Sequence, residues 1–328
     1  MNKIHLANTD LTPSVLCLGG SALGSTVNAA DAFALLDAFV AAGGNFIDTA
    51  KVYADWLPGE RSVSEKTIGR WMQQRRNRAQ VIVATKGAHP ELSAMHAPRL
   101  APQCIVADLE QSLRNLQTDC IDLYWLHRDD PARPVEEILE TLHGQVKAGK
   151  LRAYGCSNWR TPRIAAAQAY AQRCGWTGFV ADQMLWSLAA VAPPRLPDPT
   201  MVSMDAALHA WHRQSNLAAI PYASQANGYF QRLATGALDA MAAGNRRLYD
   251  TPTNRQRFAR IQMLAAASGL SITAIVLGYL RGQPFPTIPI IGCHTLAQLE
   301  DSCRAADVVL SAEQIAFLEA PGAYERDG

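Results

Sequence analysis

Short apolar runs and longer amphipathic stretches alternate along the whole chain. The runs at residues 15–18, 45–48, 81–84, 121–126, 151–156, 179–182, 217–221 and 287–291 are rich in Val, Ile, Leu and aromatic residues and predict strands. Between and after them, helical periodicity covers 31–42, 64–73, 102–116, 135–148, 161–173 and 203–214, then 254–267 with 272–281, and finally 296–306. Punctuation agrees with these bounds. Asp31 and Ser64 lie where helix starts favour a capping oxygen, Pro162 suits a first turn, and Gly149 closes the fourth helix.

Strands alternating with helices of this length predict parallel βα units. Eight such pairs favour a closed α/β barrel, a single (β/α)8 TIM barrel, over an open doubly wound sheet. No composition break divides the chain, so one domain is expected over 1–328, with loop insertions near 88–103, 188–200 and 223–253. The first two are Pro-rich and follow strand ends, on the face where such barrels carry chemistry. Each reads equally as a substrate cover or as a tolerated insertion.

Composition narrows the picture only slightly. A hydrophobic share of 48% with 18% charged residues is ordinary for a globular protein, and a net charge of +1 gives no electrostatic footprint for nucleic acid or an anionic membrane. The seven cysteines form no CxxC pair, so no metal site is expected. A polar N-terminus and the want of a membrane-length apolar run predict a cytoplasmic, reducing setting. Oligomeric state is not readable.

Chemistry concentrates at strand ends. Asp48 closes the run NFID, Tyr53 lies five residues on, Lys86 follows VIVAT, and His127 follows IDLYWL. A carboxylate, an ammonium, a phenol and an imidazole on neighbouring strand ends form a proton-transfer set, and the charged pair is expected to pull the phenol pKa down. Taken singly, such residues are more often caps, packing aromatics or snorkelling lysines. Two other motifs are weaker. The glycines of GGSALG (19–24) lack GxGxxG spacing and read as part of the barrel mouth. His209 and His212 form HxxH without a third ligand and read as surface residues.

Taken together, NFIDTAKVY with GERSVSEKTIG, VATKG, DLYWLHR, YGCSNW, ADQMLWS and IPIIGCHTLAQLED make the chain resemble the aldo-keto reductase family over nearly its full length. The resemblance implies an NAD(P)H-dependent oxidoreductase that reduces an aldehyde or ketone, or oxidises the alcohol. Tyr53 would donate the proton, Lys86 and Asp48 would tune it, and His127 would hold the carbonyl oxygen. It implies that Ser157, Asn158 and Gln183 bind the nicotinamide amide and that Tyr222 stacks on its ring. Ser224, Gln225 and Gly228 would approach the pyrophosphate. At the adenosine end Gly292, His294, Thr295 and Gln298 are the candidates, with Ser302 where the family commonly has Asn. No fixed cation occurs in that segment, so NADPH is expected with NADH also possible.

Trp56, Trp125, Arg128, Trp159 and Trp186 are the expected substrate contacts. Aromatic faces with a few polar groups suit a sugar or sugar-derived carbonyl, as in a sugar-aldehyde, bacterial-type member. Arg128 could instead bind an acidic substituent or pair with Asp129 or Asp130. The small-molecule carbonyl is the one partner expected. An alternative from the same resemblance is a nicotinamide-binding regulatory subunit with slow turnover, and a non-redox barrel enzyme would leave the cofactor residues unexplained.

Overall fold

A computed structural model describes residues 1–320; the last positions of the expected domain, 321–328, lie outside the described residues. Eight strands are present: β1 (Cys17–Gly19), β2 (Phe46–Asp48), β3 (Ile82–Gly87), β4 (Ile121–Leu126), β5 (Leu151–Ser157), β6 (Phe179–Gln183), β7 (Ala218–Ala219) and β8 (Ile290–Ile291). All neighbours pair in parallel, in the order β7-β6-β5-β4-β3-β2-β1-β8. The circle closes where Ala219 bridges Thr287: its amide donates to the Pro286 carbonyl at 2.8 Å, and its carbonyl accepts from the Ile288 amide at 2.9 Å. This is the expected (β/α)8 barrel.

Helices pack outside the strands. They are α1 (Ala29–Ala41), α2 (Val63–Arg75), α3 (Pro102–Leu116), α4 (Val135–Lys147), α5 (Thr161–Arg173) and α6 (Ala206–Ser215) in the first six units. After β7 come α7 (Tyr229–Ala234), α8 (Ala243–Tyr249), α9 (Pro252–Ser268) and α10 (Ile272–Arg281), and after β8 come α11 (Leu296–Arg304) and α12 (Ala312–Glu319). Among the described residues, no single helix is long and apolar enough to cross a membrane.

Several local expectations change. Asn28 caps α1, its side chain accepting from the Asp31 amide, so Asp31 sits inside the first turn. Ser64 is not a cap; its buried hydroxyl donates to the Gly20 carbonyl at 2.7 Å and pairs with Thr49, tying α2 to the ends of β1 and β2. Asp205 starts α6 later than the periodicity suggests. β7 and β8 are shorter than expected because Pro221 and Pro289 have no amide to give the ladder. The N-terminal residues form an antiparallel hairpin, Lys3 opposite Ser14, that seats Leu6 and Leu11 in the barrel interior. His212 is fully buried rather than on the surface. Its Nδ1 faces the Leu217 carbonyl at 2.8 Å and its Nε2 faces Asp182 at 3.3 Å, an arrangement that joins α6 to β6.

The two-residue period of the strands decides which side chains meet inside. The interior cluster contains Phe46, Ile82 and Ala84, Leu123 and Trp125, Ala153 and Ala181. Two residues further along their own strands, on the same face, come Asp48, Lys86, His127, Gly155 and Gln183. The interior is therefore apolar below and polar at the top, the C-terminal face. Gly155 makes room for this layering. A Cβ there would lie 2.5 Å from the Trp125 ring and 2.6 Å from the Ala181 carbonyl oxygen. Gly155→Ala should destabilise the fold by about 2 kcal/mol through overpacking. Chemical denaturation checks this, and an unchanged midpoint would mean that Trp125 can move aside.

Candidate active site

The polar end of the barrel is built around one buried ion pair. Asp48 and Lys86 are each only 1% exposed and in direct contact. The Lys86 ammonium also donates to the Thr49 carbonyl at 2.9 Å and to the Tyr53 hydroxyl at 2.8 Å. The second Asp48 oxygen accepts from Gln183 Nε2 at 2.9 Å. Three strand ends, those of β2, β3 and β6, thus converge. The chain beyond β2 keeps contact with β3, the Thr49 amide donating to the Ala84 carbonyl and the Lys51 amide to the Lys86 carbonyl. It then turns, with Ala54 at φ 69, and lays the Tyr53 ring against the ammonium, centroid to Nζ 4.6 Å.

Charge states follow from these surroundings. Burial disfavours the Lys86 ammonium, but Asp48 and Tyr53 outweigh it and hold its pKa above the ordinary value. For Tyr53 the expectation reverses. Burial raises the phenol pKa more than Lys86 lowers it, so the group stays above its ordinary value and is protonated near neutrality. The His127 imidazole is held well below its ordinary pKa by burial first, then by Arg128, His89 and Lys86. The resting set is therefore an ammonium, a phenol and a neutral imidazole. That arrangement can give a proton to an oxygen placed between Tyr53 and His127, whose ring centroids are 5.9 Å apart.

The expected nicotinamide residues adjoin this cluster. Ser157 and Gln183 face each other across β5 and β6. Asn158, at φ 61, joins several elements. Its Nδ2 donates to Ser157 Oγ at 3.1 Å and to the His127 carbonyl at 3.3 Å. Its Oδ1 accepts from the Val202 amide at 3.0 Å and the Tyr222 hydroxyl at 2.7 Å. After β7, Ala223, Ala226, Asn227 and Gly228 all adopt positive φ. The Ala226 and Gly228 amides close this turn on the Ala223 and Gln225 carbonyls at 2.7 and 2.9 Å, and the loop is the candidate cradle for a diphosphate. Ser224 is buried and bonds the Ile290 carbonyl, while Gln225 reaches Ser302 on α11 at 3.3 Å. Gly292 lies in open space and His294 and Gln298 are exposed at the start of α11, where Gln298 Oε1 accepts from the His294 amide at 2.8 Å. These donors and the Tyr222 ring fit a nicotinamide dinucleotide.

The expected substrate wall is largely corrected. Trp125 and Trp159 have no exposed surface: the first fills the barrel interior, and the second packs edge-on against Phe179 under the Arg163 guanidinium. Trp186 packs against His209, Tyr279 and Phe285. Their apolar bulk is used for folding, and only Trp56, 54% exposed and 6.2 Å from the Tyr53 ring, stands at the rim. Arg128 pairs with neither Asp129 nor Asp130. Its guanidinium donates to Asp198 at 3.2 Å, Thr200 at 2.8 Å and the His127 carbonyl at 2.9 Å, fastening the 188–200 loop to the strand end. Asp129 is taken by Arg163. Asp108 and His89 are unmarked in the sequence, yet Asp108 receives the Ala88 amide, Lys51 and Arg99 and so shapes the loop after β3.

A model of the aldo/keto reductase family matches residues 15–321. The chain belongs to the aldo/keto reductase family. NAD(P)H-dependent carbonyl reduction is general in this family, and the protein is an oxidoreductase of that type. Among its relatives, a norsolorinic acid reductase of Emericella nidulans is 32% identical over 93% of this chain and 77% of its own. An aryl-alcohol dehydrogenase [NADP(+)] of Phanerodontia chrysosporium is 32% identical over 89% and 76% respectively. In fold, the aldo-keto reductase resembles a thermostable aldo-keto reductase solved with the inhibitor epalrestat, with TM-score 0.72, 21% identity, and 98% and 100% of the two chains covered.

The ion pair gives a direct test. Asp48→Asn removes one charge and strands a buried ammonium, which should cost about 3–5 kcal/mol of unfolding free energy. Asp48→Asn/Lys86→Met removes both charges and should recover much of that loss while staying inactive. Urea unfolding of the two variants decides; a wild-type midpoint for Asp48→Asn would show that the pair carries no such coupling.

Proposed function

We propose that this reductase acts on an aromatic or otherwise apolar aldehyde or ketone, with Tyr53 as proton donor and NADPH as the preferred cofactor. The observation that carries the reading is the buried Asp48–Lys86 pair in contact with the Tyr53 hydroxyl beside the His127 ring. A reduced nicotinamide held beside these residues would supply the hydride for the carbonyl carbon. The chain supplies the rest. Tyr53 holds a proton on its hydroxyl, and Lys86, hydrogen-bonded to that oxygen, stabilises the phenolate left behind. Asp48 keeps the ammonium in place, Gln183 keeps Asp48 in place, and His127 offers a ring nitrogen to the carbonyl oxygen as charge develops there.

The cofactor residues are proposed in the same terms. Ser157, Asn158 and Gln183 would meet the carboxamide, Tyr222 the ring face, and the Ser224–Gly228 cradle the pyrophosphate. His294 and Gln298 would lie toward the adenosine. The Arg232 side chain lies near Gly228, its Nε 3.8 Å from where a Cβ would stand, and would add a cation beside the pyrophosphate that both nicotinamide dinucleotides carry. The NADP(+) named for the fungal aryl-alcohol dehydrogenase favours NADPH.

Substrate class rests on the rim. Trp56, Leu57 and Leu92 are the large apolar side chains exposed on the loops after β2 and β3. A sugar pocket would draw on several aromatic faces, and the buried positions of Trp125, Trp159 and Trp186 leave it Trp56. Two relatives named for aryl alcohol and norsolorinic acid point the same way as the apolar rim.

Turnover by the purified protein with NADPH should be faster on substituted benzaldehydes than on aldoses. Tyr53→Phe should lower it by about 10²- to 10⁴-fold, with NADPH fluorescence titration unchanged. Reduction of aldoses alone would overturn the substrate class. Cofactor binding with no turnover on any carbonyl would favour a regulatory role.

A further inference from the structure

Histidines that act on a substrate through one ring nitrogen are commonly aligned by a hydrogen bond at the other. His127 has none. Its Nδ1 is buried without a hydrogen-bond partner. What touches the ring instead is a second imidazole, His89, edge-on at a centroid distance of 4.6 Å and an interplanar angle of 66°. Tyr53 lies on another side at 5.9 Å and 80°.

His89 is itself held firmly. Its Nδ1 lies 2.7 Å from the Pro90 carbonyl, and because a carbonyl only accepts, that nitrogen carries the proton. Ala88 before it takes φ 57, and the Ala88 amide donates to Asp108 at 2.9 Å. Arg99 donates to the His89 carbonyl at 3.1 Å and pairs with Asp108 through two nitrogens. A backbone bend that non-glycine residues adopt at a cost is thus pinned by a buried carboxylate, and its product is the placement of one ring. His89 also lines the small polar cavity that reaches Lys86, with Lys51, Asp55 and Arg61.

We propose that His89 is a positioning residue for His127, its ring packing doing for the catalytic imidazole what a hydrogen bond at Nδ1 does elsewhere. The inference rests on the reading that His127 serves carbonyl reduction. His89 covers the His127 ring from water and fixes its tilt, so that the nitrogen facing the substrate stays aimed and uncharged. The charged groups that act on the pair are Lys86 and Arg128 on the His127 side, and Arg128, Asp198 and Glu91 around His89. Burial and Arg128 lower the pKa of His89 as well, so two neutral rings meet without repulsion.

The test compares His89→Ala with His89→Phe by turnover of NADPH with benzaldehyde and by NMR titration of the His127 ring in the resting protein. His89→Ala should lower kcat about 10-fold with little change in KM, since misplacement by an ångström can cost that much or more. Its acid limb should move to higher pH, because a hydrated His127 returns toward about 6.5. His89→Phe keeps a ring without a nitrogen and should recover most of kcat and the wild-type pH profile. A His89→Ala protein with unchanged kcat and His127 titration would overturn the proposal. So would a His89→Phe protein as impaired as the alanine variant, since nitrogen chemistry rather than packing would then be at work. Absence of turnover in the wild type would contradict the reductase reading alone, while the NMR comparison would still decide the role of His89.

Discussion

A lysine and an aspartate, both almost without exposed surface, touch each other at the top of this barrel, and the site depends on that contact. Removing two such charges from water costs roughly several kcal/mol per ion, which only good geometry and further hydrogen bonds offset. The protein supplies both. The ammonium has Asp48, the Thr49 carbonyl and the Tyr53 hydroxyl, and the carboxylate has Gln183 as well. Asp48, Thr49 and Tyr53 come from the end of β2 and the turn after it, and Gln183 comes from β6, so the pair is fully satisfied only when the barrel brings β2, β3 and β6 together. Its gain is chemical more than structural. An ammonium fixed beside a phenol stabilises the phenolate without surrendering its own proton.

The surrounding structure preserves the geometry by linking loops to strand ends rather than leaving them free. Arg128 and Asn158 both donate to the His127 carbonyl, and they continue to the 188–205 segment and to Tyr222. Asp108 does the same for the loop after β3. These links combine side-chain hydrogen bonds to backbone groups, the ordinary means by which irregular chain satisfies its polar atoms, with side-chain pairs such as Arg128–Asp198 and Tyr222–Asn158. They make the Pro-rich segments part of the site's support.

Much of this was legible in the sequence, and the limits have physical causes. Apolar runs of four to six residues separated by amphipathic stretches define the barrel, and α3, α5 and α10 occupy the residues that their periodicity marks. Asp48, Lys86 and His127 are legible because each closes or directly follows an apolar run, and Tyr53 by its place in the motif five residues past Asp48. Gln183 could have been placed inside by the same period, since it lies two residues beyond the interior Ala181. Other features carry no local signal. Trp125 and Trp159 look like pocket walls in sequence because a tryptophan near a strand end does not reveal whether its ring meets substrate or core. The partner of Arg128 is seventy residues away, beyond any pattern of neighbouring charges. The direction of the Tyr53 pKa depends on how burial compares with the field of Lys86, a balance set only by the folded geometry.

The most direct test of the account is the ionisation of Tyr53 itself, read by ultraviolet difference titration with Tyr53→Phe as the blank and repeated on a Lys86→Met background. The account predicts that the Tyr53 phenol ionises above the ordinary value of about 10 in the wild type and higher still without Lys86, whose charge is what favours the phenolate. A Tyr53 that ionises near neutrality, or one whose pKa does not rise when the ammonium is removed, would contradict it.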